Sequence, residues 1–189
     1  MNGRILSVLA AAALALAAPA TVGAQQLYIS GGATFPTGDF GDYANTGWQI
    51  AGGIVFSDVY TQGLSLGVDG FYGENSHDDF STSPGDVTDT KTNPYGIMGI
   101  AMYDFSAGTV DPYIFGGAGW LAHKYSGTIF GETIDSETDS GFGYQLGAGI
   151  GFGLSESISI YGEGRYTAGT GDVKDTKFIS ALAGLAFAI

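Results

Sequence analysis

The chain has 189 residues, of which 44% are hydrophobic and only 13% are Asp, Glu, Lys or Arg, against about 25% in an average soluble domain. Its 33 glycines are too many for a helical bundle, and its net charge of −13 has the wrong sign for a nucleic-acid-binding protein. The absence of cysteine excludes a disulfide scaffold and a thiolate metal site.

The first 24 residues have the pattern of an export signal. Arg4 gives a positively charged start, residues 5–18 are apolar apart from Ser7, and small residues end the segment at Ala24. The apolar run is about 14 residues long, whereas a membrane-spanning helix needs about 20. We therefore predict that residues 1–24 are removed as a signal peptide and that residues 25–189 form one domain of an exported protein.

Beyond residue 24, apolar residues alternate with small or polar ones at the period of two that β-strands show. Residues 142–154 show it most clearly, with an apolar side chain at every even position and glycine or Gln145 at every odd one. The alternation predicts eight strands: 27–35, 48–56, 64–73, 95–105, 110–125, 142–154, 158–167 and 178–189.

The connections between these strands alternate in length. Long polar segments occupy 37–45, 74–93, 126–140 and 168–176, and short ones occupy 57–62, 106–109 and 155–157. An even strand number with long loops at one end and short turns at the other is typical of outer-membrane barrels. In lipid the first and last strands must also pair, because every backbone hydrogen bond has to be satisfied. We predict an all-β fold, an eight-stranded antiparallel up-and-down transmembrane β-barrel, with both termini in the periplasm.

Aromatic residues lie near the ends of the apolar faces, as they do in lipid-facing girdles. The predicted interface residues are Trp48, Phe56, Tyr72, Tyr95, Tyr103, Phe105 and Phe187. Residues 95 to 105 span about 25 Å when tilted, which is the height of the apolar band. The alternative is a soluble eight-stranded barrel with the two faces exchanged. It is disfavoured because its water-facing side would carry little charge beyond Asp69, Glu163 and Arg165.

Three stretches carry a family resemblance: Gly31, Gly32, Phe35, Pro36, Gly38, Asp39 and Phe40; Pro112, Tyr113, Gly116, Gly117, Gly119 and Trp120; Gly184, Phe187 and Ile189. Through them, residues 25–189 resemble the small outer-membrane β-barrel family that includes the OmpA transmembrane domain, OmpX and the opacity proteins. The resemblance implies insertion by the barrel-assembly machinery, with Gly184, Phe187 and Ile189 as its signal. The family prefers a terminal Phe and a polar residue seven positions earlier, where this chain has Ile189 and Leu182.

The alternation also predicts a polar cluster inside the barrel, formed by Gln49, Asp69, Gln145, Glu163 and Arg165. Charges in so confined a space should be paired. We predict a buried ion-pair network that plugs the barrel, and the alternative is a gated ion path.

Glycines of the strand 142–154 are expected to make room inside the barrel for bulky side chains, namely Tyr28, Phe71, Trp120 and Tyr161. A dinucleotide site is disfavoured because no helix follows these glycines.

The long loops carry thirteen of the nineteen acids: Asp39, Asp42, Glu74, Asp78, Asp79, Asp86, Asp89, Glu132, Asp135, Glu137, Asp139, Asp172 and Asp175. We interpret them as a solvated extracellular surface, with the alternative that they share Ca²⁺ or Mg²⁺ with lipopolysaccharide phosphates. His77 and His123 lie near serines and acids, which raises the alternative of a lipid-modifying enzyme, but rim or loop roles are favoured.

Residues 128–134 predict a hairpin that turns at 130–131, so that the flanking strands continue beyond the bilayer. The protruding edge could capture an extended partner segment by strand addition. The facing of the strand 110–125 stays open, because a one-residue change in turn length reverses it.

These observations favour a monomeric, non-enzymatic barrel without a cofactor, in contact with outer-membrane lipid and lipopolysaccharide. Its expected role is structural or at the cell surface, in envelope integrity or adhesion, and an extracellular protein partner would bind at 74–93 and 126–140. The alternatives are a narrow low-conductance channel and, third, a lipid-modifying enzyme. No nucleic-acid partner is expected.

Overall fold

A computed structural model of the chain describes residues 25–78, 80–81, 86–105, 110–129, 132–135 and 138–189. These contain ten strands: β1 Gln25–Pro36, β2 Gly47–Phe56, β3 Leu64–Ser76, β4 Phe80–Ser81, β5 Asp86–Asp104, β6 Val110–Ile129, β7 Glu132–Asp135, β8 Asp139–Gly153, β9 Ile158–Gly169 and β10 Lys177–Ala188. Two short 3₁₀ helices cover Gly38–Asp42 and Gly171–Val173. None of the helices in the described ranges is long and apolar enough to cross a bilayer. The predicted signal peptide, residues 1–24, lies outside them.

Eight of the strands close into a barrel. β1, β2, β3, β5, β6, β8, β9 and β10 each pair antiparallel with the next. β1 also pairs with β10, in a register that runs from Gln26 opposite Ala188 to Pro36 opposite Phe178. The predicted eight-stranded antiparallel up-and-down barrel is confirmed. We call the end that carries residues 37–46 and 170–176 the long-loop end, and the other the short-turn end.

The outer face of the wall is apolar, and buried polar side chains lie on its inner face. Ile29 and Leu146 point outward and are 60% and 58% exposed, whereas Gln49, Gln145 and Thr167 point inward and are at most 1% exposed. Side chains alternate between the two faces along each strand because the pleat has a period of two. The predicted facing of β2, β3, β8 and β9 agrees with this burial.

The facing of β6, left open by the sequence, places Tyr113, Phe115 and Leu121 inward. The expectation that Trp120 fills the lumen is therefore wrong. Trp120 lies opposite Ile97, which is 46% exposed on the outer face. Its neighbour Leu121 takes the inward position, so the period of two turns Trp120 outward.

The second long connection is shorter than predicted. β3 continues to Ser76 and β5 begins at Asp86, so much of the predicted loop 74–93 is strand. Four strand segments lie side by side here. β4 pairs with the first residues of β5, these pair with the last residues of β6, and those pair with β7. We call this four-stranded extension at the long-loop end the loop-end sheet. The predicted hairpin is confirmed by the pairing of Thr128 with Thr133, while its turn, 130–131, lies outside the described residues.

An apolar plug fills the lumen toward the long-loop end. It is formed by the large side chains at the long-loop end of a more extended buried apolar cluster: Phe40, Phe71, Met98, Leu121, Val173 and Phe178. Phe40 comes from the first 3₁₀ helix and Val173 from the second, so the two loops fold into the barrel mouth. The Phe178 ring lies 6.5 Å from that of Phe40 and 6.1 Å from that of Phe71. Edge-to-face contacts at such distances stabilise aromatic clusters.

Candidate functional site

The middle of the lumen holds a buried ion network centred on Arg165. Its Nη1 lies 2.9 Å from Asp69 Oδ2, and its Nε donates to Glu163 Oε1 at 2.8 Å. Nη2 also pairs with Glu163. Glu163 and Arg165 are two residues apart on β9 and therefore share a face, while Asp69 reaches them from β3 across the lumen.

Neutral groups complete this network. The Tyr28 hydroxyl donates to Asp69 Oδ1 at 2.7 Å, and the Tyr113 hydroxyl donates to Glu163 Oε2 at 2.9 Å. Gln145 Nε2 donates to Asp69 Oδ2 at 3.3 Å. All four carboxylate oxygens of the network thus accept a hydrogen bond, which is what buried charges require if they are to be tolerated.

The network contains four of the five residues that the sequence placed in the lumen. Gln49 is the exception: it is buried, but its Oε1 accepts a hydrogen bond from Ser180 at 2.7 Å instead. The sequence did not predict that Tyr28 and Tyr113 belong to the network. Tyr28 was expected only as a bulky lumen residue, and Tyr113 could not be placed while the facing of β6 was open.

Glycines of the barrel wall lie directly beneath the aromatic side chains of the lumen. A Cβ at Gly53 would be 2.7 Å from the Tyr28 hydroxyl, and one at Gly184 would be 2.7 Å from Cζ of Tyr161. At Gly147 and Gly149 a Cβ would overlap the rings of Phe115 and Tyr113. The absence of side chains at Gly53 and Gly149 is what lets Tyr28 and Tyr113 reach the ion network.

Between the network and the short-turn end lies a cavity of about 310 Å³. Asp69, Gln145 and Arg165 line its inner end, and Asp58 in the turn between β2 and β3 lines its mouth. The lumen is therefore an apolar plug, a polar network and an open cavity in series.

The two histidines occupy the long-loop end and contact threonines. His77 Nε2 lies 2.9 Å from Thr92 Oγ1, and His123 Nδ1 lies 2.8 Å from Thr176 Oγ1. Both threonines are almost fully buried. Burial lowers the pKa of His77, and the negative charge of Asp78 partly opposes this.

An aromatic band follows the outer face toward the long-loop end. Ring centroids are 5.9 Å apart for Trp48 and Tyr72, 6.4 Å for Tyr72 and Tyr95, and 5.5 Å for Tyr95 and Trp120. Trp120 thus extends the predicted girdle onto β6. The remaining predicted interface residues lie toward the short-turn end on the same outer face: Phe56, Tyr103, Phe105 and Phe187.

The C-terminal segment closes the barrel. Ile189 donates its backbone N–H to the carbonyl oxygen of Gln25 at 2.9 Å, and Phe187 pairs with Leu27. Phe187 and Ile189 are exposed on the outside, whereas Gly184 lies beneath the Tyr161 ring. In the part of the chain that the structure describes, no three acidic or histidine side chains lie close enough to hold a metal ion.

A family model described as outer membrane protein beta-barrel domain matches residues 6–187. The chain belongs to this family. It is an outer-membrane β-barrel protein, and the membrane implied is the outer membrane of a bacterium. A search of curated protein sequences finds no significant match.

Solved structures share the barrel fold at low sequence identity. Neisserial surface protein A is 18% identical with a TM-score of 0.60, over 88% of this chain and 99% of its own. The N-terminal barrel of Pseudomonas aeruginosa OprF is 15% identical with a TM-score of 0.53, over 89% of this chain and 100% of its own. Ail, the attachment invasion locus protein of Yersinia pestis, is 15% identical with a TM-score of 0.52, over 88% of this chain and 99% of its own.

Proposed function

We propose that this protein is a non-conducting, non-enzymatic outer-membrane barrel with a structural or cell-surface role in envelope integrity or adhesion. The observation that carries the proposal is the apolar plug, which occupies the lumen between the long-loop end, where the two 3₁₀ helices lie, and the ion network. A transport path would need a continuous polar passage, and eight strands leave little interior that side chains do not fill.

The enzymatic alternative has weak support. Each histidine bonds to a threonine hydroxyl that is almost completely buried, and His123 Nε2 lies 3.7 Å from Asp139 Oδ2. A catalytic nucleophile must reach its substrate. These contacts fit side chains that fasten the loops to the barrel rim.

The long-loop end is proposed to face the cell exterior, with both termini in the periplasm. There the acidic loops meet lipopolysaccharide, and the loop-end sheet offers its surface to an extracellular protein at 74–93 and 126–140. An ion pair of 3.0 Å between Lys91 and Glu74 ties β5 to β3 at the base of this sheet. Insertion is proposed to depend on the barrel-assembly machinery reading Gly184, Phe187 and Ile189.

Cysteine labelling on intact cells tests this orientation, and the absence of native cysteine leaves no background. Asp172→Cys lies at the long-loop end and Glu156→Cys at the short-turn end, both at exposed positions. A membrane-impermeant maleimide should label Asp172→Cys on whole cells and Glu156→Cys only after lysis. The reverse pattern, or labelling of neither before lysis, would contradict the surface role.

A further inference from the structure

The lumen cavity is open at one end only. The apolar plug closes the barrel toward the long-loop end, while the cavity of about 310 Å³ reaches the short-turn end beside Asp58 and Gly63. Its volume is at the lower end of the range for small-molecule sites. A cavity of this shape can hold a ligand but cannot pass it through the membrane.

Acidic groups dominate its lining. Of the described residues around the cavity, the charged ones are Asp58, Asp69, Asp104, Asp111, Glu163 and Arg165. Arg165 balances only one of the two carboxylates it contacts, and the three other aspartates are all nearer the mouth. Low-dielectric walls concentrate the field of such charges inside a cleft. The cavity therefore favours a cation.

A buried acceptor independent of these carboxylates lies at the inner end of the same cavity. Gln145 lines the cavity and is fully buried. Its Nε2 donates to Asp69, and this fixes the amide because the reversed orientation would bring two oxygens together. Its Oε1 has no hydrogen-bond partner among the described residues. An unpaired buried acceptor is complemented by a group that offers only donors, such as an ammonium.

The shape of the site distinguishes between cations. No three acidic or histidine side chains among the described residues are close enough to hold a metal ion. The carboxylates are instead distributed along the cavity from Asp69 to Asp104 and Asp111. Tyr28, Tyr113 and Tyr161 line the same cavity, and aromatic faces attract ammonium groups. This arrangement suits an elongated cation with separated amino groups.

We propose that the cavity binds a small linear polyamine, which enters from the short-turn end. One amino group donates to Gln145 Oε1 and lies beside Asp69, and another lies at the mouth between Asp104 and Asp111. The alkyl chain between them contacts the tyrosine rings. Such binding is separate from the proposed surface role, since it uses the opposite end of the barrel.

Calorimetric titration of the purified full barrel with spermidine tests the proposal, and saturable binding at one site per barrel is expected. The double variant Asp104→Asn/Asp111→Asn should weaken the affinity at least about tenfold. The matched control Asp39→Asn/Asp42→Asn makes the same charge change at exposed positions of the long-loop end. It should leave the affinity within about twofold, because its charges lie outside the cavity and are screened.

A second pair of variants tests the buried acceptor. Gln145→Met should weaken spermidine binding about tenfold, whereas Gln49→Met, at a buried glutamine that does not line the cavity, should not. Heat-modifiable gel mobility verifies that each variant has folded. The proposal is overturned if wild type shows no saturable binding, if both aspartate pairs weaken it equally, or if Ca²⁺ displaces spermidine at equal concentration.

Discussion

Arg165 shows what a buried charge requires in this barrel. It is the only basic residue among the described lining of the lumen cavity, and it pairs with Asp69 and Glu163 while its guanidinium lies 5.4 Å from the centre of the Phe115 ring. Because side chains alternate between the two faces of a strand, the sequence of β9 predicts that Glu163 and Arg165 share a face. Which acid on the far wall reaches Arg165 depends on how the strands are staggered around the closed barrel, and the sequence of one strand does not contain that information.

Replacing Arg165 should be strongly destabilising. Arg165→Met leaves Asp69 and Glu163 buried with no cation, and breaking a buried pair in this way costs about 3–5 kcal/mol. Urea unfolding of the barrel in lipid vesicles would measure the loss. In the background Asp69→Asn/Glu163→Gln the same replacement should cost much less, because no uncompensated charge remains. Equal unfolding midpoints for Arg165→Met and wild type would contradict the network.

Glycines on β8 offer a paired test of the lumen packing. A Cβ at Gly149 would overlap the Tyr113 ring and come within 2.8 Å of the Gly162 carbonyl oxygen, whereas one at Gly153 would meet nothing within 4 Å. Gly149→Ala should therefore destabilise the barrel by about 1–3 kcal/mol through overpacking. Gly153→Ala, on the same strand, should be nearly neutral. Similar unfolding free energies for the two variants would refute the steric role.

At the scale of elements, hydrophobic alternation predicts strands well where one face meets the apolar exterior. It fails for residues 86–93, because a strand beyond the bilayer has polar side chains on both faces and no hydrophobic period. It also misses the plug. Phe40 lies between Asp39 and Gly41 in a segment whose sequence is typical of a loop. Only the folded chain shows that this loop places Phe40 inside the barrel mouth. Trp120 is misplaced because one residue of register reverses a strand.

The loop-end sheet should loosen in acid. His77 packs between the rings of Tyr43 and Tyr125, at 5.4 and 5.3 Å, and burial lowers its pKa below the ordinary 6.5. When these contacts open, the imidazole regains its ordinary proton affinity, so protonation favours the open form. Hydrogen-exchange protection in 86–92 and 123–129 should be full above pH 6.5 and should decrease as the pH falls below it.

The variant His77→Phe keeps an aromatic ring between the two tyrosines and removes the titrating group. It should lower the protection at neutral pH, because the bond to Thr92 is lost, but weaken its pH dependence. His123 titrates equally in both proteins and serves as an internal reference. Protection that rises on acidification, or a pH dependence unchanged in His77→Phe, would contradict the role of His77.

At the scale of the whole molecule, the residue types that make the composition unusual occupy different parts of the barrel. Apolar residues cover the outer face of the wall, glycines make room for the lumen aromatics, and eleven of the seventeen acids among the described residues lie toward the long-loop end. The match to an outer-membrane β-barrel family agrees with this inside-out distribution. In the proposed function, the apolar plug is the feature that closes the lumen to transport.

Planar-bilayer recording tests the closed lumen most directly. Purified wild-type barrel should insert without producing steady conductance, because Phe40, Phe71 and Phe178 occlude the path. Heat-modifiable gel mobility of the protein recovered from the bilayer material serves as the control for a folded, inserted barrel. Stable, reproducible conductance steps from the wild-type protein would contradict the account.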